Sequence, residues 1–193
     1  MTVNNSTLTG NSAPFGGGVV NDGTLSINNS TISGNSSLTG GSGGGLYNLA
    51  SHTLTINNST LAGNSADSGG GAISNSGTAV LQNTIVTDSP SGGNCSGTVT
   101  SKGYNLSSDT TCNFNNTGDL NNTDPKVEPL GNYGGPTQTI ALREGSPAID
   151  AGNPNGCTNS RGQLLKTDQR GAPRPDKEDS GGCDMGAFEK QSD

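Results

Sequence analysis

Apolar residues are thinly spread along this chain, and in its first half they alternate with small polar ones. Thr24-Leu25-Ser26-Ile27 puts an apolar side chain at every second position, the period of a strand with one buried face. Thr31-Ile32-Ser33 predicts a second short strand and Leu46-Tyr47-Asn48 a third. No window carries the three-to-four spacing of a helix, and Gly and Asn interrupt too often to let one form.

The pattern repeats. Val3-Asn4-Asn5-Ser6-Thr7-Leu8 returns as Ile27-Asn28-Asn29-Ser30-Thr31-Ile32 and as Ile56-Asn57-Asn58-Ser59-Thr60-Leu61, with a degraded copy at Val80-Leu81-Gln82-Asn83-Thr84-Ile85. Each of the first three is followed by Gly-Asn-Ser, then by a triple glycine starting at Gly16, Gly43 and Gly69. Three short strands per period of about 25 residues describe one coil of a right-handed parallel β-helix. Equivalent residues then stack about 4.8 Å apart. Val3, Ile27, Ile56 and Val80 are expected to form one internal apolar ladder, and Leu8, Ile32, Leu61 and Ile85 another. The pairs Asn4-Asn5, Asn28-Asn29 and Asn57-Asn58 fall at corners, where Asn tolerates the left-handed conformation and its amide can bond along the stack. A leucine-rich solenoid would need a Leu-x-x-Leu-x-Leu signature, and a calcium-binding roll an Asp in each repeat; neither pattern is present.

Composition agrees with a thin core. Gly, Asn, Ser and Thr make up just over half of the 193 residues, hydrophobic residues are 26% and there is no Trp. An ordinary globule carries roughly 45–50% apolar residues, whereas a disordered chain is usually richer in charge than the 13% found here. No run approaches the ~18 apolar residues of a membrane-spanning helix. The net charge of −7 argues against nucleic acid as a partner. Charge is also segregated: residues 1–87 hold only Asp22, Asp67 and His52, and the first Lys is Lys102. That divides the chain into repeated coils over 1–88 and a region of last coils plus an irregular C-terminal cap over 89–193.

The second region carries a string of recognisable motifs. Gly93-Asn94-Cys95-Ser96-Gly97, Gly103-Tyr104-Asn105-Leu106, Tyr133-Gly134-Gly135-Pro136-Thr137, Gly145-Ser146-Pro147-Ala148-Ile149-Asp150-Ala151-Gly152, Asp168-Gln169-Arg170-Gly171-Ala172-Pro173-Arg174-Pro175 and Cys183-Asp184-Met185-Gly186-Ala187-Phe188-Glu189 follow in order. Residues 80–189 thereby resemble the choice-of-anchor Q domain at the C-terminal end of bacterial β-helical surface proteins. The resemblance implies export, followed by attachment to the cell envelope. The opening Met1-Thr2-Val3-Asn4 reads as mid-coil with no secretory leader, and no anchor follows Glu189, as expected of a fragment or a very short member.

Four cysteines allow three pairings, and their grouping favours Cys95 with Cys112 and Cys157 with Cys183. Gaps of 17, 45 and 26 residues do not suit a metal site, so no metal or other cofactor is expected. An enzyme acting on a uronan or glycoside would need paired carboxylates, or a basic side chain with acids, on one face. Asp22, Asp67 and His52 sit in different contexts and offer no such set. Asp150, Asp168, Arg170, Arg174 and Asp184 are expected to form a salt-bridge and turn network that closes the end of the solenoid, rather than a cation or glycan site. Asp119 and Asp124 fit ordinary turn chemistry as well as loose calcium binding. Asn-x-Ser/Thr triplets occur at Asn29, Asn58 and Asn105 among others, and most of them lie in the repeated Asn corner and follow from its composition. The expected protein is a non-enzymatic extracellular or cell-surface module, structural or adhesin-like, with a glycan or cell-surface ligand as its expected partner. Two alternatives are a subunit that self-associates through its N-terminal coil into a filament, and a non-catalytic fragment of a carbohydrate-active enzyme.

Overall fold

The computed structural model describes residues 1–176 and 182–191, so 177–181 and 192–193 of the expected C-terminal region lie outside it. Its strands run parallel and stack as a β-solenoid of about 4 turns. Five strands, Thr2–Asn4, Thr24–Asn28, Thr53–Asn57, Thr78–Gln82 and Val99–Ser101, form the first sheet. Thr7–Thr9, Thr31–Ser33, Thr60–Ala62, Ile85–Thr87 and Leu106–Ser107 form the second. The third contains Val19–Asn21, Leu46–Asn48, Ile73–Asn75 and Cys95–Ser96. Ser12–Ala13 and Ser36–Ser37 pair at a further corner.

Alternation sends one residue in two inward. Leu25, Ile27, Leu54, Ile56, Leu81, Ile32, Leu61 and Val86 are buried together inside the coils, with Val3 and Leu8 at their first turn. The fourth coil departs from the expected ladders by one residue. Leu81, not Val80, pairs with Ile56, and Val86, not Ile85, pairs with Leu61. Val80 lies beside Thr55 and Thr100 on the outward side and is only partly buried. Ile85 continues the outward column of Thr7, Thr31 and Thr60, and is buried from outside. A one-residue slip moves a strand's apolar set to the other face, so only the register with Leu81 and Val86 inside keeps the core continuous.

Asn turns the corners as its composition suggests. Asn5, Asn29, Asn58 and Asn83 have φ between 47° and 52°, a region that Asn enters more readily than other L-residues. Asn28 donates to Asn4 at 3.0 Å and Asn57 to Asn28 at 3.2 Å, while Asn29 donates to Asn5 at 2.7 Å. Two further amide ladders run along other corners: Asn21–Asn48–Asn75, at 2.6 and 2.7 Å, and Asn11–Asn35–Asn64, both steps at 3.0 Å. The triple glycines have a steric cause. A Cβ at Gly44 would drive into the Ser65 carbonyl of the next coil, and Gly17 and Gly71 meet Ser36 and Ser91 in the same way.

Cys112 and Phe114 are buried with Val99 and Cys95 at the last coil, so the start of the C-terminal region closes that end of the solenoid. The remainder, with the charged motifs expected there, does not. It folds back along the outward face of the second sheet as far as the first coil. Thr7 donates to the Gln138 carbonyl and accepts from Gln169 Nε2 at 2.9 Å. Thr31 meets Gln169 at 2.6 Å and Thr139 at 3.0 Å. Thr60 accepts from the Ala187 N–H at 3.0 Å. At the far coils the contact becomes apolar, with Ile85 and Leu106 buried against Leu142, Met185 and Phe188. The disulfides are Cys95–Cys112 and Cys157–Cys183, as the grouping indicates.

Candidate functional site

The charged residues of the C-terminal motifs form a buried hub between tail and coils. Arg174, 2% exposed, donates to Glu189 at 2.6 Å, to the Asn29 side-chain oxygen at 3.1 Å and to the Gly186 carbonyl at 2.9 Å. Asp168 accepts from the Arg170 side chain at 2.8 Å and from the N–H groups of Arg170, Ala172 and Glu189. The Arg170 guanidinium also reaches the carbonyls of Tyr133 and Glu189 and lies 3.6 Å from the centre of the Phe188 ring. Asp184 accepts from the N–H groups of Asp150 and Lys190. Asp150 contributes that N–H, while the residue itself is exposed. Burial pushes the Asp184 carboxyl up to about 6, against hydrogen bonds from Lys190 and Asp150. Burial likewise pushes Glu189 up to about 7, against the pull of Arg174. Chemically this hub is saturated: its donors and acceptors are spent on the backbone and on one another, which suits a clamp rather than a ligand site.

Elsewhere carboxylates serve turns. Asp119 accepts from the N–H groups of Asn105 and Asn116, Asp124 from that of Lys126, and Asp67 from that of Gly40. At Asp109, burial is outweighed by hydrogen bonds from the Asn94 N–H and from Thr111 and Ser107, which hold its carboxyl below the usual range. The sequence separates Asp22 from His52, but the structure joins them: Nε2 of His52 lies 2.9 Å from Asp22 Oδ1 at the surface where adjacent coils turn. Among the described residues, no three His, Cys, Asp or Glu side chains converge on a metal-sized position.

Open space lies on the other flank. A loop over residues 158–163 rises beside the outward face of the first sheet, with one cleft of about 270 Å³ toward Thr2, Asn4 and Asn28. A second, of about 330 Å³, faces Thr55, Asn57, Val80 and Gln82. Asn159 and Ser160 line both clefts, Arg161 the first and Lys102 the second. A third cleft, of about 290 Å³, lies between the second sheet and residues 127–143 and contains the surface pair Glu128–Arg143.

Comparison of the chain with protein-family models, with curated proteins and with solved structures gives no match in any of the three. The site therefore rests on its geometry. Sequence reasoning missed Glu189, Gln169, Lys102 and Arg161 as partners of these sites. Glu189 ends one dense motif and Gln169 lies inside another, which were usable signals; Lys102 and Arg161 carry none, and the place of Arg161 depends on the fold-back of the tail.

Proposed function

We propose that this chain is a non-catalytic extracellular binding scaffold, an adhesin-like β-solenoid module of a bacterial surface protein. The observation that carries this reading is the division of labour between its two flanks. The tail occupies the outward Thr column of the second sheet, while the outward face of the first sheet stays accessible and is lined by hydroxyls and amides from successive coils. Such a face offers repeated donors and acceptors at the coil spacing, suited to a repeating polymer. Eight of the described carboxylates, meanwhile, are committed: Asp168, Asp184 and Glu189 to the hub, Asp67, Asp119 and Asp124 to turns, and Asp22 and Glu128 to surface pairs. Two disulfides support an oxidising, extracellular setting. The likeness of residues 80–189 to the choice-of-anchor Q domain supports display at a cell surface.

Beads carrying the intact protein, washed over surfaces coated with a panel of neutral and acidic polysaccharides, test this reading. Retention on at least one polymer, with no sugar fragments released into the wash, is the expected outcome. Release of fragments by the purified protein, or retention on none of the panel, refutes it.

A further inference from the structure

Resting on the scaffold reading, we infer that the two clefts on the first sheet form one binding groove for an acidic polysaccharide, a polymer bearing carboxylates along its length. The groove runs across the strands, along the solenoid axis. It follows the outward column Thr2, Ser26, Thr55, Val80 and Thr100, in register from the first coil to the fifth, of which Thr2 lines the first cleft and Thr55 and Val80 the second. At about 4.8 Å per coil these five rungs span about 19 Å, the length of a short oligosaccharide. In the flanking column Asn4 and Gln82 add accessible side-chain amides, while Asn28 and Asn57 between them are buried and bonded along the ladder.

The wall is prebuilt. Cys157–Cys183 ties the base of the 158–163 loop to the tail. Asn58 donates to the Thr158 carbonyl at 2.6 Å, and the Ser160 N–H donates to Asn28 at 2.9 Å, so the loop is pinned to two different coils. Asn159 accepts from the N–H groups of Arg161 and Gln163 and holds the turn closed. A fixed backbone lowers the entropy cost of capturing a ligand.

Charge selects the polymer. Arg161 and Lys102 line the two clefts, are exposed, and have no acidic partner among the described residues. They stand apart from the molecule's excess of acid: the strands of the first sheet contain no Asp or Glu, and neither do residues 151–167. The nearest carboxylate in sequence to those strands, Asp22, is held by His52. By contrast Arg143, in the third cleft, is already neutralised by Glu128. A guanidinium and an ammonium with no acidic partner among the described residues, on a wall of hydroxyls and amides, match a polymer of uronate sugars, whose carboxylates take the cations and whose hydroxyls take the floor.

Binding isotherms of the full chain for polygalacturonate and for its fully methyl-esterified form test the inference. The acid form is expected to bind, to weaken as salt rises, and to lose about tenfold in affinity in the double variant Arg161→Ala/Lys102→Ala. Arg143→Ala is expected to bind as the parent does. An unchanged far-ultraviolet spectrum and melting temperature establish that the double variant is folded. Equal binding of acid and ester, or equal loss in Arg143→Ala, overturns the inference and leaves the scaffold reading intact. Failure to bind the acid form overturns it too, whereas the scaffold reading falls only if the whole polysaccharide panel fails to retain the protein.

Discussion

One hydroxyl settles the register of the fourth coil. Ser30 and Ser59 each donate to the carbonyl two residues back, that of Asn28 and of Asn57, both at 2.8 Å. Thr84 makes the same bond to Gln82 at 2.9 Å. Thr84 is therefore the counterpart of Ser59, although by residue type it matches Thr60, and that false match shifts Val80 and Ile85 into the inner ladders. The first three copies are legible in sequence because Asn-Asn-Ser-Thr is intact in each. The fourth loses an Asn to Gln82, and the remaining pattern fits two registers. Leu81→Ala is expected to cost about 2–5 kcal/mol, the range for a buried leucine, while Val80→Thr on the outward face stays within about 0.5 kcal/mol. Urea unfolding of the two variants checks this; a larger loss at Val80 would restore the shifted register.

The corner ladder and the tail clamp are coupled through particular amides. Asn29 donates to Asn5 but accepts from Arg174, and Asn58 donates to the Thr158 carbonyl, so the outer Asn ladder is interrupted between the second and third coils where the tail enters. From the sequence, both Asn belong to a uniform stack; the tail's approach makes them the points where it is held. The network itself was legible as a cluster of charges, but its place was not, because no local pattern records which face a returning chain will cover. Its acids give it a pH dependence. Asp184 rises from 3.8 to about 6 and Glu189 from 4.5 to about 7, chiefly through burial. For a carboxyl raised on folding, the protonated form favours the folded state, and its contribution is lost as pH climbs through the folded value. The melting temperature is thus expected to fall between pH 5 and pH 8, and hydrogen exchange at 184–190 to quicken over the same interval. A melting temperature that rises across that interval would contradict the burial argument.

At the scale of the molecule, composition and repeats made the solenoid legible, since a thin core is one of few ways to fold a chain with so little apolar surface. They placed the tail at the end of that solenoid. The structure instead turns it back along the flank, so that one stretch of chain clamps the second sheet and raises a wall over the first. Thr7, Thr31 and Thr60 explain why the return is stable: their hydroxyls, repeated at the coil spacing, meet Gln138, Gln169, Thr139 and Ala187 on the way. The proposed groove exists only if this return occurs. Spin labels at introduced cysteines measure it directly, since the four native cysteines are occupied in disulfides. Double electron–electron resonance on Thr2→Cys/Arg161→Cys and on Thr100→Cys/Arg161→Cys is expected to give the shorter distance for the pair with Thr2, whose residues share a cleft. A shorter distance to Thr100 would put the loop at the last coil and contradict the folded-back tail.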